Sequence, residues 1–599
     1  MILLGGLSPA TAPDDGAGGR ASLAAADDST QVAIPGRVLA RPDSTPVAGA
    51  TVAVYSLFRD RAHDSTTTGD DGRYRLTVAA PAKGQRIVRV EATAPGRARD
   101  RMLIGVEASG QDPVRLAMAP RASDAEPIAI KDLETLRQIG RSDDYPLDAA
   151  YVLASDLDAS ATAEWNDGRG FRPIGHDAQG RPTDRAFTGT FDGQGHTISG
   201  LTIDRPDRDE PGKRIGLFAR TEAATIQNLT LADVSVTGNA TVGAIVASSG
   251  TLTRITNCTV TGTVRGWTEV GGLVGLAEFT RVQGASARGT IGAPTESDPI
   301  YVSTFSAAGA RRLGGLAGKL EYSMIRRSRA AVDVVPPEKN WGVEHVGGLV
   351  GQSGSGSEIR HAHATGALRM VETPGDNTVE ANGVGGLVGT NARGGTLIYA
   401  SSATGAVEAT MFGGGLVGQL QGGTLRASYA TGPVRGGSRV GGLTGYSVGI
   451  VESSYATGAV SGEAVVGGLV GKNHGRVRTS FAVGTVSSAH TTEAPTTIGG
   501  LVGEGRSTSP AGEDETTTEQ DDQLLSSYWD RTTTGQARAY GDGDAAPSPD
   551  AATDDDYARG LPTDQMTGAA ARKHMTWLDF ETTWQVVSGD YPALRWEAP

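Results

Sequence analysis

Hydrophobic and polar positions fall into three successive patterns along the chain. Between residues 31 and 120, short runs alternate apolar and polar residues: Val32–Ala40, Ala50–Tyr55, Tyr74–Val78 and Ile87–Ala92. Turn sequences such as Pro46-Val-Ala-Gly49 and Gly69-Asp-Asp-Gly72 separate them. A period of two predicts half-buried strands, and several short strands at this spacing predict a small all-β sandwich. The second pattern begins at Ile130. Leu133, Leu136 and Ile139 share one face of a helix that stops at Gly140. Tyr151–Asp158 then alternates as a strand, and the turn Asp192–Gly195 separates two more strands within Phe187–Ile203.

The third pattern, from 215 to 503, is a repeat. A hexapeptide of the form apolar-Gly-Gly-Leu-Val-Gly starts at Val270, Leu313, Val346, Val384, Gly413, Val440, Val466 and Ile498, after degenerate copies at Ile215 and Val242. A second motif, clearest as Ser-Tyr-Ala-Thr-Gly-x-Val at Ser428–Val434 and Ser454–Val460, trails most copies. The shortest repeats span about 26–28 residues. That length predicts a β-solenoid with about three short strands per rung and Gly pairs at sharp corners and close backbone approaches; a right-handed wind is the general expectation for such folds and does not follow from the repeat length. A helical repeat is disfavoured, since the two glycines of each short motif would each cost about 1 kcal/mol in a helix. Residues 121–214 are expected to cap the start of the solenoid with a helix and strands. Residues 504–599, with four Trp near the end, are expected to supply an acidic loop and a C-terminal cap over the last rung.

Two resemblances follow from these motifs. Gly36-Arg-Val38, Pro46–Val52, Thr68–Tyr74 and Ala94-Pro-Gly96 resemble the carboxypeptidase regulatory-like family, which implies an exported, non-catalytic Ig-like spacer. The repeat resembles the GLUG motif. The lead-in, with Pro173-Ile-Gly175 and Phe187–Ile198, and the ending, with Tyr528-Trp-Asp530, Thr563–Met566 and Tyr591–Arg595, are similar to what flanks GLUG arrays. That resemblance implies an extracellular or cell-surface location in bacteria, in adhesin-like proteins or beside the catalytic domain of IgA-cleaving metallopeptidases. It supplies no active site. The apolar run Met1–Leu7, with residues 8–30 as linker, fits the tail of a signal peptide.

Composition narrows the chemistry. The 599 residues include 85 Gly and carry a net charge of −14, which argues against a nucleic-acid backbone as partner. No apolar stretch is long enough for a transmembrane helix. Cys258 is the sole cysteine, so disulfide frameworks and cysteine-based metal clusters are excluded. His-Glu-x-x-His is absent. His361-Ala-His363 places two imidazoles on one strand face without a third ligand, and Gly445–Gly449 matches a nucleophile elbow but lies in a solenoid corner with no helix after it. Asp70 and Asp71 fit an Asx-type turn, and no motif supports a structural calcium. No catalytic residue, metal ligand or cofactor is assigned, and the chain reads as non-enzymatic.

Variation between repeats carries the functional expectation. Between the end of the trailing motif and the next hexapeptide, successive segments hold 5, 21, 11, 15, 5, 5, 5 and 11 residues, counting from Val264. Gly292–Arg312, Val335–His345 and Arg369–Gly383 therefore leave the rod at one corner on consecutive rungs, with Ser487–Thr497 further along. Trp267, Tyr301, Phe305, Glu338, Trp341, Glu344, His345 and Asp376 lie on this edge. Aromatics beside carboxylates suit a surface glycan or a protein ligand; the bland alternative is loops that cover the solenoid flank. His363, Ser402, Tyr429, Tyr455 and Phe481 share one position in successive copies, either as structural packing or, facing outward, as a glycan platform. The expected role is adhesion or ligand binding. Its alternatives are an accessory part of a carbohydrate-active or proteolytic enzyme and a passive stalk, with oligomeric state open.

Overall fold

The structure is a computed structural model. It describes residues 30–59, 61–81, 85–97, 99–118, 126–176, 185–206, 214–292, 312–335, 344–369, 383–392, 394–489, 497–505, 524–541 and 558–597. Counts below refer to these residues. Contacts divide the chain into two units, with the boundary between Pro127 and Ile128.

The first unit has seven strands: β1 (Thr30–Ala40), β2 (Thr51–Ser56), β3 (Ala62–Thr67), β4 (Arg73–Ala80), β5 (Arg86–Thr93), β6 (Asp100–Val106) and β7 (Val114–Met118). They form two sheets, β4-β1-β7 and β3-β2-β5-β6. Inward residues of each, such as Ile34, Val38, Leu76 and Leu116 from one and Val52, Val54, Val88 and Val90 from the other, make one core. Gly36 is small because the Tyr74 ring lies where a Cβ would point, and the Tyr74 hydroxyl donates to the Val114 carbonyl at 3.2 Å. Asp71 accepts the Arg73 backbone N–H at 3.0 Å, as an Asx-type turn requires.

The second unit is a parallel β-solenoid. One rung runs through strands Gly383–Gly385, Val388–Asn391, Leu397–Tyr399, Ser402–Ala403 and Val407–Ala409. Stacking of successive rungs gives four parallel sheets of 10, 10, 13 and 19 strands. Ten rungs at about 4.8 Å each make a rod of roughly 50 Å. The rung is cut finer than three strands. The first Gly of the pair ends the first strand, the second Gly and Leu form the bend, Val starts the second strand, and Thr404-Gly405 splits the last. All ten hexapeptides stack in register, for example Val346 on Val384 and Val440 on Val466.

The glycines of the hexapeptide serve approach rather than turning. A Cβ on Gly386 would lie 2.1 Å from the Gly415 carbonyl oxygen of the next rung, and Gly348 and Gly442 meet their neighbours in the same way. The left-handed corners are instead held by other residues: Asn228, Asn257, Arg327, His361, Ala400, Ala427, Ser453 and Thr479 all have φ between 48° and 53°. Each such conformation costs about 1–2 kcal/mol. It is held because the N–H at the corner donates to the rung above, as Ala427 does to the Glu452 carbonyl at 3.0 Å. Asn257 Nδ2 donates to Asn228 Oδ1 at 3.3 Å and Asn228 Nδ2 to Asp192 at 3.1 Å, so a short amide ladder forms and ends on a carboxylate.

A buried serine ladder follows that corner. The backbone N–H groups of Ser401, Ser428, Ser454 and Ser480 donate to the hydroxyls of Ser428, Ser454, Ser480 and Ser527 at 3.1–3.3 Å. Each of these hydroxyls donates to a carbonyl two residues earlier, Ser454 to Glu452 at 2.8 Å. Ser454→Ala should therefore strand the Ser428 N–H in a dry interior and cost about 1–3 kcal/mol. Urea unfolding would measure this, and a loss below about 0.5 kcal/mol, the usual range for a surface change, would count against it.

The core closes at both ends with aromatic rings. Tyr151, Phe187, Phe191 and Phe218 cluster at the start, with ring centroids 4.8–6.1 Å apart, beneath α1 (Leu133–Gln138). At the far end Trp529 stacks on Ala482, in the column that small Ala residues fill elsewhere, and covers Gly500. Strand Ala558–Leu561 pairs beyond it, and the Arg538 and Ala539 carbonyls take N–H groups of Gly500 and Leu501.

Candidate functional site

The insertion edge is built on paired strand ends. Strands Ser286–Gly292, Arg329–Val335 and Leu368–Arg369 are successive neighbours in the largest sheet, and each ends where an insertion leaves. Strands Arg312–Gly314, His345–Gly347 and Gly383–Gly385 receive the chain again, with Arg312, His345 and Gly383 in register. The three insertions are thus rooted side by side at one corner. Of the residues expected there, Trp267, Glu344 and His345 are described. Tyr301, Phe305, Glu338, Trp341 and Asp376 lie outside the described residues.

Trp267 is half-buried on the rung before the first insertion. Glu344 and His345 lie at the root of the second, with His345 Nε2 3.7 Å from the Glu344 carboxylate. A charged row runs along the same roots and was missed in the sequence. Thr241 donates to Glu269 at 2.9 Å, Glu269 pairs with Arg312 at 3.1 Å, and Arg312 Nε donates to Gln352 at 2.5 Å. The signal was available: Thr241, Glu269, Arg312 and His345 each directly precede a hexapeptide.

His345 is largely buried, and burial together with the Arg312 guanidinium pulls its pKa down to about 4 from 6.5. A depressed base is held neutral in the folded chain. Its contribution to stability is full above about pH 6.5 and is lost as pH falls toward about 4. The loss is at most about 3 kcal/mol, at about 1.4 kcal/mol per unit. His345→Gln should flatten the fall in melting temperature between neutral pH and pH 4. Parallel profiles for the two chains would refute this.

The aromatic column faces away from the solenoid core. Ala430, Ala456 and Ala482, next in sequence, face in, whereas Tyr455, Phe481 and Tyr528 belong to a second apolar cluster. Tyr429, Tyr455 and Phe481 stack at 5.0–5.1 Å with ring planes within 12°. This outward column is nonetheless covered, because the C-terminal segment folds back along it. Trp584 lies 5.3 Å from Phe481, and Trp596 lies 5.6 Å from Tyr429 and donates to the Ala427 carbonyl at 2.7 Å. The segment is a strap along the flank as well as an end cap, and the open glycan platform is not present along this stretch.

Other motifs resolve as structure. His361 sits at a left-handed corner rather than on a strand face with His363, and both rings pack against Trp596. Ser447 is buried at the end of strand Thr444–Ser447, stacked between Leu420 and Asn473. Burial pushes the Cys258 thiol up to about 12. Among the described residues no group of three His, Cys, Asp or Glu could hold a metal ion, and no helix is long and apolar enough to cross a membrane.

Comparison with known proteins agrees with the repeat. A family model described as the GLUG motif matches residues 342–369. Halomucin of Haloquadratum walsbyi is 37% identical over 225 residues, which is 35% of this chain and 2% of halomucin. An immunoglobulin A1 protease of Streptococcus sanguinis is 28% identical over 228 residues, 38% of this chain and 11% of the protease. The chain thus spans only a small part of either relative. A solved IgA1 protease structure aligns with 75% of this chain and 29% of its own at a TM-score of 0.31 and 15% identity. The chain therefore carries GLUG-type repeats folded as a β-solenoid.

Proposed function

We propose that the chain is a non-enzymatic, surface-displayed bacterial protein that binds a glycan or protein through the insertion edge of its solenoid. One observation carries this reading: three long insertions are rooted in register on consecutive rungs at a single corner, whereas the next three rungs cross it with five residues. Per-repeat insertions on one face of a solenoid commonly form its binding face. Trp267, Tyr301, Phe305, Glu338, Trp341, Glu344, His345 and Asp376 would supply stacking rings and hydrogen-bonding carboxylates. The first unit would act as a carboxypeptidase regulatory-like spacer, with residues 1–30 as leader and linker. The division into a lead-in cap at 121–214, a repeat at 215–503 and a closing segment at 504–599 belongs to the same proposal.

The test is a glycan and cell-surface-protein array probed with the chain and with a variant whose 292–312, 335–345 and 369–383 insertions are cut to five residues. Binding lost only by the folded, trimmed variant supports the edge. Equal binding by both, or none by either, overturns it. The similarity to immunoglobulin A1 proteases favours a second reading, an accessory region that presents substrate to a protease. Immunoglobulin A1 therefore belongs on the array, and its selective retention would favour that role.

A further inference from the structure

The N-terminal cap of the solenoid contains a cleft of about 460 Å³, about three rungs before the first insertion and not used by the function proposed above. Its position follows from the cap's local structure. Asp132 caps α1 through the Thr135 N–H at 2.8 Å, and the helix ends at Gln138, with Gly140 just beyond its C-cap at φ 75°. Arg137 and Arg141 therefore leave the helix end on one side. Opposite them, Trp165 to Gly170 closes a tight loop: the Gly170 N–H donates to the Trp165 carbonyl at 3.0 Å, and Asn166 Nδ2 donates to the Gly170 carbonyl at 2.8 Å. Phe171 is fully buried, and Trp165 stacks on it at 6.3 Å.

The lining has a definite chemical character. Arg137, Arg141 and Arg172 supply three cations, and among the described residues no acidic side chain lines the cleft, in a chain of net charge −14. Arg137 lies 5.7 Å from the Trp165 ring and Arg141 6.0 Å from the Phe171 ring. At the rim Glu134 takes Arg137 Nε at 2.7 Å. Arg141 has no such carboxylate: it donates to the carbonyls of Arg137, Arg172 (2.8 Å) and Pro173 (3.5 Å), and its Nε is buried without an acceptor. Burial and the nearby Arg172, Arg137 and Arg205 pull its pKa down to about 10. Capping of the helix carbonyls accounts for part of Arg141. It does not account for a half-buried indole and two carboxamides, Gln138 and Asn166, around the same hollow.

We propose that this cleft binds a carboxylate-bearing sugar, its ring against Trp165 and its carboxylate among Arg137, Arg141 and Arg172. The volume is in the range of small-molecule sites. Planar guanidinium forks match a carboxylate in two-bonded geometry, and an indole covers the apolar face of a sugar ring. Gln138 and Asn166 provide neutral donors and acceptors for hydroxyls. A bound carboxylate would also offset the mutual repulsion of the arginines.

The experiment titrates the full chain with glucuronate, N-acetylneuraminate, glucose and inorganic sulfate, followed by calorimetry and saturation-transfer NMR. Glucuronate or N-acetylneuraminate should bind, with glucose and sulfate at least about tenfold weaker. Arg137→Gln and Trp165→Leu change partly exposed side chains, and each should weaken binding about tenfold while the melting temperature is kept. Arg141→Lys should do the same by removing the fork but not the charge. Insertion trimming should leave the binding intact, which separates this site from the edge. No binding of either acidic sugar by the folded chain, equal binding of sulfate, or unchanged affinity in the folded variants would overturn the proposal.

Discussion

Replacing Trp584 with alanine is expected to cost about 3–5 kcal/mol, the usual range for emptying a buried indole site. Trp584 is fully buried, 5.3 Å from the Phe481 ring and 5.9 Å from the Tyr455 ring. It sits midway along the strap, between Met566, Met575, Leu578 and Phe580 on one side of the chain and Leu594 and Trp596 on the other. Because a solenoid is stabilised rung by rung, this loss should fall on strap docking before the rod itself melts. Hydrogen exchange should rise first in 563–597 and at the ladder residues it covers, and an apolar dye should bind the exposed rings. A cooperative shift of the whole chain, without early exposure of the ladder, would show that strap and rod are one folding unit.

The second large effect concerns two glycines of neighbouring hexapeptides. Gly386→Ala is expected to destabilise by about 1–3 kcal/mol or more, because its Cβ would lie 2.1 Å from the Gly415 carbonyl oxygen and 2.8 Å from Ala403 Cβ. Backbone and a fully buried methyl cannot give way cheaply. Gly413→Ala is expected to be neutral or stabilising. Gly413 stands where other copies carry Val, and the nearest atom to its Cβ is Ala409 Cβ at 3.1 Å. Thermal melting of the two single variants checks the contrast. Equal destabilisation would mean that rung spacing is not set by the glycine columns.

Much of this fold is written in one dimension. Successive rungs pair residues that occupy the same place in successive repeats, so sequence alignment of the repeat to itself is already a contact map. Val384, Leu387 and Ile398 are buried in one rung for the reason that Val440, Leu443 and Val451 are buried two rungs on. Insertions were legible in the same way, since their lengths stand out against five-residue connections. The charged row at their roots was legible in principle, as a register of residues before each hexapeptide, but polar positions lack the periodic signature that draws attention. Gly pairs were read as suiting both sharp corners and close backbone approach; the structure uses them for approach, whereas the left-handed corners belong to residues such as Ala400 and Arg327. Propensity favours glycine there; the rung-to-rung hydrogen bond overrides it.

Contacts between distant segments could not be read in this way. Trp596 reaches the Ala427 carbonyl 169 residues earlier, and the Tyr455 hydroxyl donates to Glu597 at 2.9 Å. Nothing periodic links the strap to the ladder, so an outward aromatic column looks the same in sequence whether open or covered. The arginine cleft is of the same kind, assembled from a helix end and a loop that share no repeat. The sequence alone determined the solenoid, the stacking of its repeats and the corner where insertions leave, because stacking makes sequence period and spatial neighbour the same thing. The tertiary structure alone decided which outward faces are covered and which side chains converge from unrelated segments, because those contacts depend on where the chain returns in space.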